Sequence, residues 1–107
     1  MPRITINDTN IDAAIERTTG IFRALSTGSR LRILLTLVED DATVTEIVQA
    51  TGLSQPLVSQ HLRTLRDLRL VRVRRTGREA HYSLEDAHVM SVVQDALAHA
   101  IEDGPIR

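Results

Sequence analysis

Gly52 stands between two segments of helical apolar spacing and constrains the fold of this chain more than any other residue. Before it, Ile47, Val48 and Ala50 belong to a short helix that Thr43 or Thr45 can cap. After it, Leu57, Val58, Leu62, Leu65 and Leu68 line one side of a longer helix. Thr51-Gly52-Leu53 closes the first helix, because glycine takes the positive φ of a helix end without the steric penalty other residues bear. Ser54 can cap the second helix, and Pro56 stands near the first-turn position where a missing N–H is harmless. Two helices joined by so tight a turn form a helix-turn-helix.

The period then changes from helix to strand. From Leu70 to Arg75, Val71 and Val73 alternate with Arg72 and Arg74; Thr76-Gly77 turns; Ala80, Tyr82 and Leu84 alternate again. This pattern predicts a two-stranded hairpin with a basic tip, a wing. Upstream, Ile11, Ala14, Ile15, Ile21, Phe22 and Leu25 predict a first helix from about Ile11 to Leu25. Ser26-Thr27-Gly28-Ser29 interrupts it, and Ser29 can cap a second helix carrying Leu31, Ile33, Leu34, Leu35, Leu37 and Val38, which Glu39-Asp40-Asp41 ends. A last helix starts at Ser83 or Glu85, runs through about Asp103 and is closed by Gly104-Pro105. The expected fold is mainly α with a small β-hairpin wing: a winged helix-turn-helix of five helices. Residues 1–9 read as a flexible arm and residues 10–104 as the domain.

A chain of 107 residues suits one domain. With one Phe and one Tyr, its core must be built from Leu, Val, Ile and Ala, and a second copy of the chain can complete part of it. The absence of cysteine excludes disulfides, thiolate metal sites and cysteine nucleophiles. No apolar run approaches the ~18 residues of a membrane span and no signal peptide opens the chain, so a soluble cytoplasmic protein without a membrane partner is expected.

Charge is divided unevenly. All 13 basic residues are arginine, and seven of them lie between Arg63 and Arg78. Between residues 52 and 82 only Asp67 and Glu79 oppose them, a net of +5, whereas the remainder carries six arginines against twelve acids. Such a stripe on an otherwise acidic molecule can bind a polyanion in one orientation, although a solvated charged face has the same composition.

The order of elements and three local sequences resemble the ArsR/SmtB family of bacterial metal-responsive repressors, over roughly residues 15–103. The segments are Leu25-Ser26-Thr27-Gly28-Ser29-Arg30-Leu31-Arg32-Ile33-Leu34, Leu53-Ser54-Gln55-Pro56-Leu57-Val58-Ser59-Gln60-His61-Leu62, and the wing Arg75-Thr76-Gly77-Arg78-Glu79-Ala80-His81-Tyr82-Ser83-Leu84. Members with a thiolate site carry cysteines in the third helix; Ala42-Thr43-Val44-Thr45-Glu46-Ile47 has none, so that type of site is absent.

A recognition helix reads base edges with short polar side chains near its N-terminal end, while basic residues hold phosphates. Gln55, Ser59 and Gln60 are placed for the first task, and the matching family positions contact DNA. Pro56 stands where relatives often have Ser, which removes one donor. Arg63 and Arg66, at i and i+3, can grip the backbone, and Arg75 and Arg78 at the wing tip can reach the flanking minor groove. Ser54 is chiefly a cap, His61 is structural, and Arg69 and Arg72 fit a solvated surface as well as a DNA contact.

The last helix opens with Asp86-Ala87-His88 and nears its end at His99-Ala100-Ile101-Glu102. At about 100° per residue, His88, His99 and Glu102 share one face, and Asp86 joins them only at the irregular helix margin. Along the axis His88 and His99 are roughly 16 Å apart, whereas ligands sit about 2 Å from a metal. One straight helix therefore cannot close the four around one ion. Two copies paired antiparallel across a two-fold axis can, giving two identical sites. Val89, Val92, Val93, Ala96, Leu97, Ala100 and Ile101 offer an adjoining apolar seam for a homodimer through the terminal helices. By spacing alone, the same residues also describe a helix with two exposed histidines and ordinary acids. The resemblance implies the metal site, since zinc-sensing members carry this pattern in their last helix. Two His and two carboxylates suit Zn(II), with Co(II) or Ni(II) as other candidates. A closed site without an open position fits sensing rather than catalysis.

The function expected is a non-enzymatic repressor that binds double-stranded operator DNA and is released by a divalent metal. The alternatives are a winged-helix repressor with no metal response and a protein-interaction module that does not touch DNA. A small metalloenzyme lacks support from any Ser-His-Asp-like arrangement.

Overall fold

The computed structural model describes residues 10–102. The expected arm at 1–9, and Asp103 with the closing Gly104-Pro105, lie outside them. Five helices and one hairpin follow in order: α1 (Ile11–Leu25), α2 (Gly28–Glu39), α3 (Val44–Thr51), α4 (Gln55–Asp67), β1 (Val71–Thr76), β2 (Glu79–Leu84) and α5 (Ala87–Glu102). None of the described helices is long and apolar enough to cross a membrane.

α2 is the hub, with α1, α3, α5 and β2 all packed on it. Its buried Ile33, Leu34 and Leu37 meet Ile47 of α3, Val58, Leu62 and Leu65 of α4, and Leu70, Val71 and Leu84 at the base of the hairpin in one core cluster. β1 and β2 pair antiparallel with Val71 opposite Leu84 and Val73 opposite Tyr82, which puts these four on one face of the ribbon. Two backbone bonds between Ala42 and Tyr82, 3.0 and 2.8 Å, sew β2 to the α2–α3 connection, so the wing has a fixed root.

The helix ends follow local chemistry, with two departures from the sequence pattern. Thr43, rather than Thr45, caps α3 in a reciprocal capping box: its hydroxyl accepts from the Glu46 N–H, and the Glu46 carboxylate accepts from the Thr43 N–H. Those bonds, the backbone one foremost, hold the Glu46 carboxyl below its usual pKa. Gly52 takes φ +75° at the end of α3, and Ser54 Oγ accepts from the Leu57 N–H at 3.3 Å to start α4. Ser29, by contrast, does not cap α2. The helix already begins at Gly28, and the Ser29 hydroxyl turns to His61. Nor does α5 begin at Ser83 or Glu85: Ser83 stays in the hairpin, and Asp86 Oδ1 accepts from the Val89 N–H at 3.0 Å as the cap.

α4 ends in a Schellman turn built on an arginine. Arg69 has φ +57°, the Leu70 N–H bonds back to the Leu65 carbonyl at 2.8 Å, and the Arg69 N–H to that of Arg66 at 2.9 Å. This turn redirects the chain from α4 straight into β1.

Candidate functional site

α4 is two-sided. Val58, His61, Leu62 and Leu65 face inward and are buried; Gln55, Ser59, Gln60, Arg63 and Arg66 are all exposed. The polar set therefore occupies the face turned away from the core, held there by the apolar set beneath it. Arg75 and Arg78 are exposed at the far end of the hairpin. There Gly77, at φ +61°, opens a two-residue loop between the paired Thr76 and Glu79, the positive-φ first position that a type II′ turn requires. The described ion pairs are His81–Glu79 and His88–Asp86, so no arginine of the described residues is neutralised by a carboxylate contact. Helix face and wing tip thus present guanidinium groups to solvent from two rigid elements that share one core.

At the start of α5, Asp86 Oδ2 lies 3.8 Å from His88 Nδ1. Both side chains are more than half exposed, at 51% and 73%. Asp86 spends Oδ1 on the helix cap and keeps Oδ2 beside the imidazole, so the margin position allows both tasks. Two ligands of a tetrahedral zinc, each about 2 Å from it, stand roughly 3.3 Å apart; the observed pair is close to that separation. His99 and Glu102 are exposed three turns along. Within one chain, the described residues contain no group of three or more His, Asp or Glu that could hold an ion. Asp86 with His88 and His99 with Glu102 stand as two separate half-sets of candidate ligands.

Apolar surface adjoins the half-sets. Val92, Leu97 and Ile101 of α5 are 44%, 42% and 66% exposed, and Ile15 and Phe22 of α1 are 56% and 60% exposed. Between α1 and α5 a small groove of about 130 Å³ is lined by Ile21, Leu25, Leu70, His88, Val89 and Val92. One member of the anticipated seam belongs elsewhere: Val93 is 3% exposed and anchors α5 to the core.

The sequence pattern left the environment of His61 undescribed. Its ring hydrogen-bonds Ser29 and Arg30 of α2, partners 32 and 31 residues away. No local spacing signals a contact over that distance.

Residues 27–73 match the family described as "Bacterial regulatory protein, arsR family". The HTH-type transcriptional repressor SmtB of Mycobacterium tuberculosis is 45% identical over 93 residues, covering 87% of this chain and 66% of the relative. The chain thus spans just under two thirds of that protein's length. A probable mercury resistance operon repressor of Streptomyces lividans is 36% identical, covering 82% of this chain and 70% of its own. Among solved structures, the homodimeric winged helix-turn-helix DNA-binding domain of a possible ArsR-family regulator from Mycobacterium bovis superposes with a TM-score of 0.78 at 27% identity, covering 94% of this chain and 91% of that one.

Proposed function

The chain belongs to the arsR family of bacterial regulatory proteins, and from that premise we propose that it is a homodimeric transcriptional repressor released from operator DNA by a divalent metal ion. The observation that carries the reading is the exposed polar face of α4 set beside the arginine-bearing wing. Gln55, Ser59 and Gln60 read base edges in the major groove, Arg63 and Arg66 hold phosphates, and Arg75 and Arg78 reach the flanking groove. A C2 dimer presents two such heads to two half-sites.

The proposed metal is Zn(II), held by Asp86 and His88 of one chain and His99 and Glu102 of the other. The Asp86–His88 spacing and exposure support this. The ion would supply a cross-link between two α5 helices and leave no position for a substrate water. By linkage, metal that weakens DNA binding must itself be bound more weakly on DNA, by the same factor.

Affinity for duplex DNA, measured by fluorescence anisotropy, should fall steeply with salt, and Zn(II) should lower it at fixed salt. A flat salt response rules out the DNA reading; an unchanged affinity with Zn(II) rules out the metal response alone. Mixed dimers locate the site. His88→Ala and His99→Ala homodimers should each lose both sites, and a dimer of one of each should regain about one tight equivalent. No tight equivalent in the mixed dimer would place the ligands within one chain.

A further inference from the structure

Among the described residues His61 is the buried polar side chain of the core, 8% exposed, in the middle of α4. Both of its ring nitrogens are engaged by the first turn of α2: Nε2 lies 2.9 Å from Ser29 Oγ, and Arg30 Nε donates to Nδ1 at 3.1 Å. Because a guanidinium only donates, Nδ1 must carry a lone pair. The single proton of the neutral ring is then on Nε2, directed at Ser29. Arg30 thereby selects the tautomer. α4 packs chiefly on α3 and β1, and this bridge is its hydrogen-bonded tie to the hub helix α2.

We propose that the Ser29–His61–Arg30 bridge positions the recognition helix for operator binding and makes that binding sensitive to mild acid, with His61 acting as a positioning residue rather than a base contact. The proposal rests on the DNA-binding reading above. Protonation of His61 places a second N–H on Nδ1, facing the Arg30 Nε–H. Two donors, both cationic, then meet with no acceptor between them, and half of the bridge is lost. The surface carrying Gln60 and Arg63 is set by how α4 sits on its supports, so loosening one support misplaces both.

Among the described residues no carboxylate pairs with the ring to offset the new charge. Burial first, and the Arg30 charge second, hold the His61 pKa below its ordinary 6.5. On α3 the Glu46 carboxylate is occupied by Thr43, and on β1 Arg72, Arg74 and Arg75 are exposed and of the same sign. The folded, bridged state therefore binds the proton less readily than the unfolded chain. The bridge holds while the ring is neutral and is lost as pH falls through the lowered folded-state pKa of His61, and the stability it contributes begins to erode once pH drops below the unfolded-chain value.

The test uses the full-length homodimer in EDTA, so that no metal intervenes, and a fluorescein-labelled duplex selected by the wild-type protein from a random-sequence pool. Affinity is measured between pH 7.5 and 5.5 at constant ionic strength for wild type, His61→Gln and His61→Leu. A glutamine amide can accept from Arg30 and donate to Ser29 without titrating. Wild type should lose about tenfold in affinity across the range, the worth of one buried hydrogen bond. His61→Gln should lose much less. His61→Leu, with its fold checked by circular dichroism, should be weak throughout. Parallel losses in wild type and His61→Gln would overturn the proposal. If no duplex is selected at any pH, the DNA reading itself fails, and NMR of the free dimer still judges the bridge. The Ser29 and Arg30 amides should shift as the His61 ring titrates, and amides that stay still while it titrates would overturn it.

Discussion

Between Gly28 and Leu84, eleven apolar side chains of the described residues are buried in one cluster, whereas α1 contributes only Ala24 and α5 only Val93. α1 and α5 are the more apolar region, with 18 of their 31 residues apolar against 23 of the 57 from Gly28 to Leu84, yet the less complete one. The helix-turn-helix and wing close their core within one chain, and every apolar stripe there has an opposing surface. α1 and α5 have apolar stripes wider than the surface available to cover them, which leaves Ile15, Phe22, Val92, Leu97 and Ile101 exposed. A monomer of this size rarely leaves such residues grouped on neighbouring helices without a partner. The candidate ligands at the two ends of α5 follow the same pattern: among the described residues neither pair belongs to a group of three or more that could hold an ion. The reading head is thus a product of intrachain packing, and the sensing half is a proposal about two chains.

The contrast predicts unequal responses to the same kind of mutation. Leu62→Ala, in the closed region, removes a side chain that is 1% exposed and should cost about 3 kcal/mol in urea unfolding. Leu97→Ala, 42% exposed on α5, should cost the folded single chain far less. Comparable losses measured under conditions where the protein is monomeric would erase the distinction.

A smaller effect should appear in self-association. Phe22→Ser and Ile101→Ser remove exposed apolar groups from the unfinished region and should weaken dimerisation by about 2 kcal/mol, some thirtyfold, while helical circular dichroism is retained. Sedimentation equilibrium measures the shift. An unchanged dissociation constant would mean that another surface pairs the chains, and the bridging metal site would fall with it.

The smallest effect sharpens the boundary between the regions. Arg69 holds a left-handed conformation in the Schellman turn that delivers α4 into β1. Arg69→Gly should relieve that strain and raise stability by about 0.5–1 kcal/mol, after allowance for glycine's greater freedom in the unfolded chain. A loss of stability in thermal unfolding would show that the arginine side chain contributes more than its backbone costs.

Much of the closed region was legible because its signals are local. Gly52, Ser54 and the Val/Arg alternation each act within a few residues, and each stands where the pattern placed it. The α2 and α5 starts depart from the local pattern because several polar residues near each could cap, and tertiary pairing withdrew some of them. Ser29 had a histidine 32 residues away to satisfy, and Ser83 was retained by its strand.

The candidate DNA face was legible for the same local reason, since inward Val58, Leu62 and Leu65 leave Gln55, Ser59, Gln60, Arg63 and Arg66 outward at helical period. For the candidate metal ligands, helical rise alone separates the two pairs, and the structure adds that Asp86 lies at the cap with one carboxylate oxygen beside His88.

By itself, then, the sequence determined the order and type of the elements, the polar face of α4 and the impossibility of a four-ligand site on one straight helix. These follow from backbone periodicity, capping chemistry and a fixed rise per residue, which operate over one or two turns. The tertiary structure alone decided that Val93 points into the core instead of the seam, that Tyr82 ties the wing to Ala42, and that His61 meets Ser29 and Arg30. Each of those depends on two segments far apart in the chain arriving at one place, and no short-range pattern carries that information.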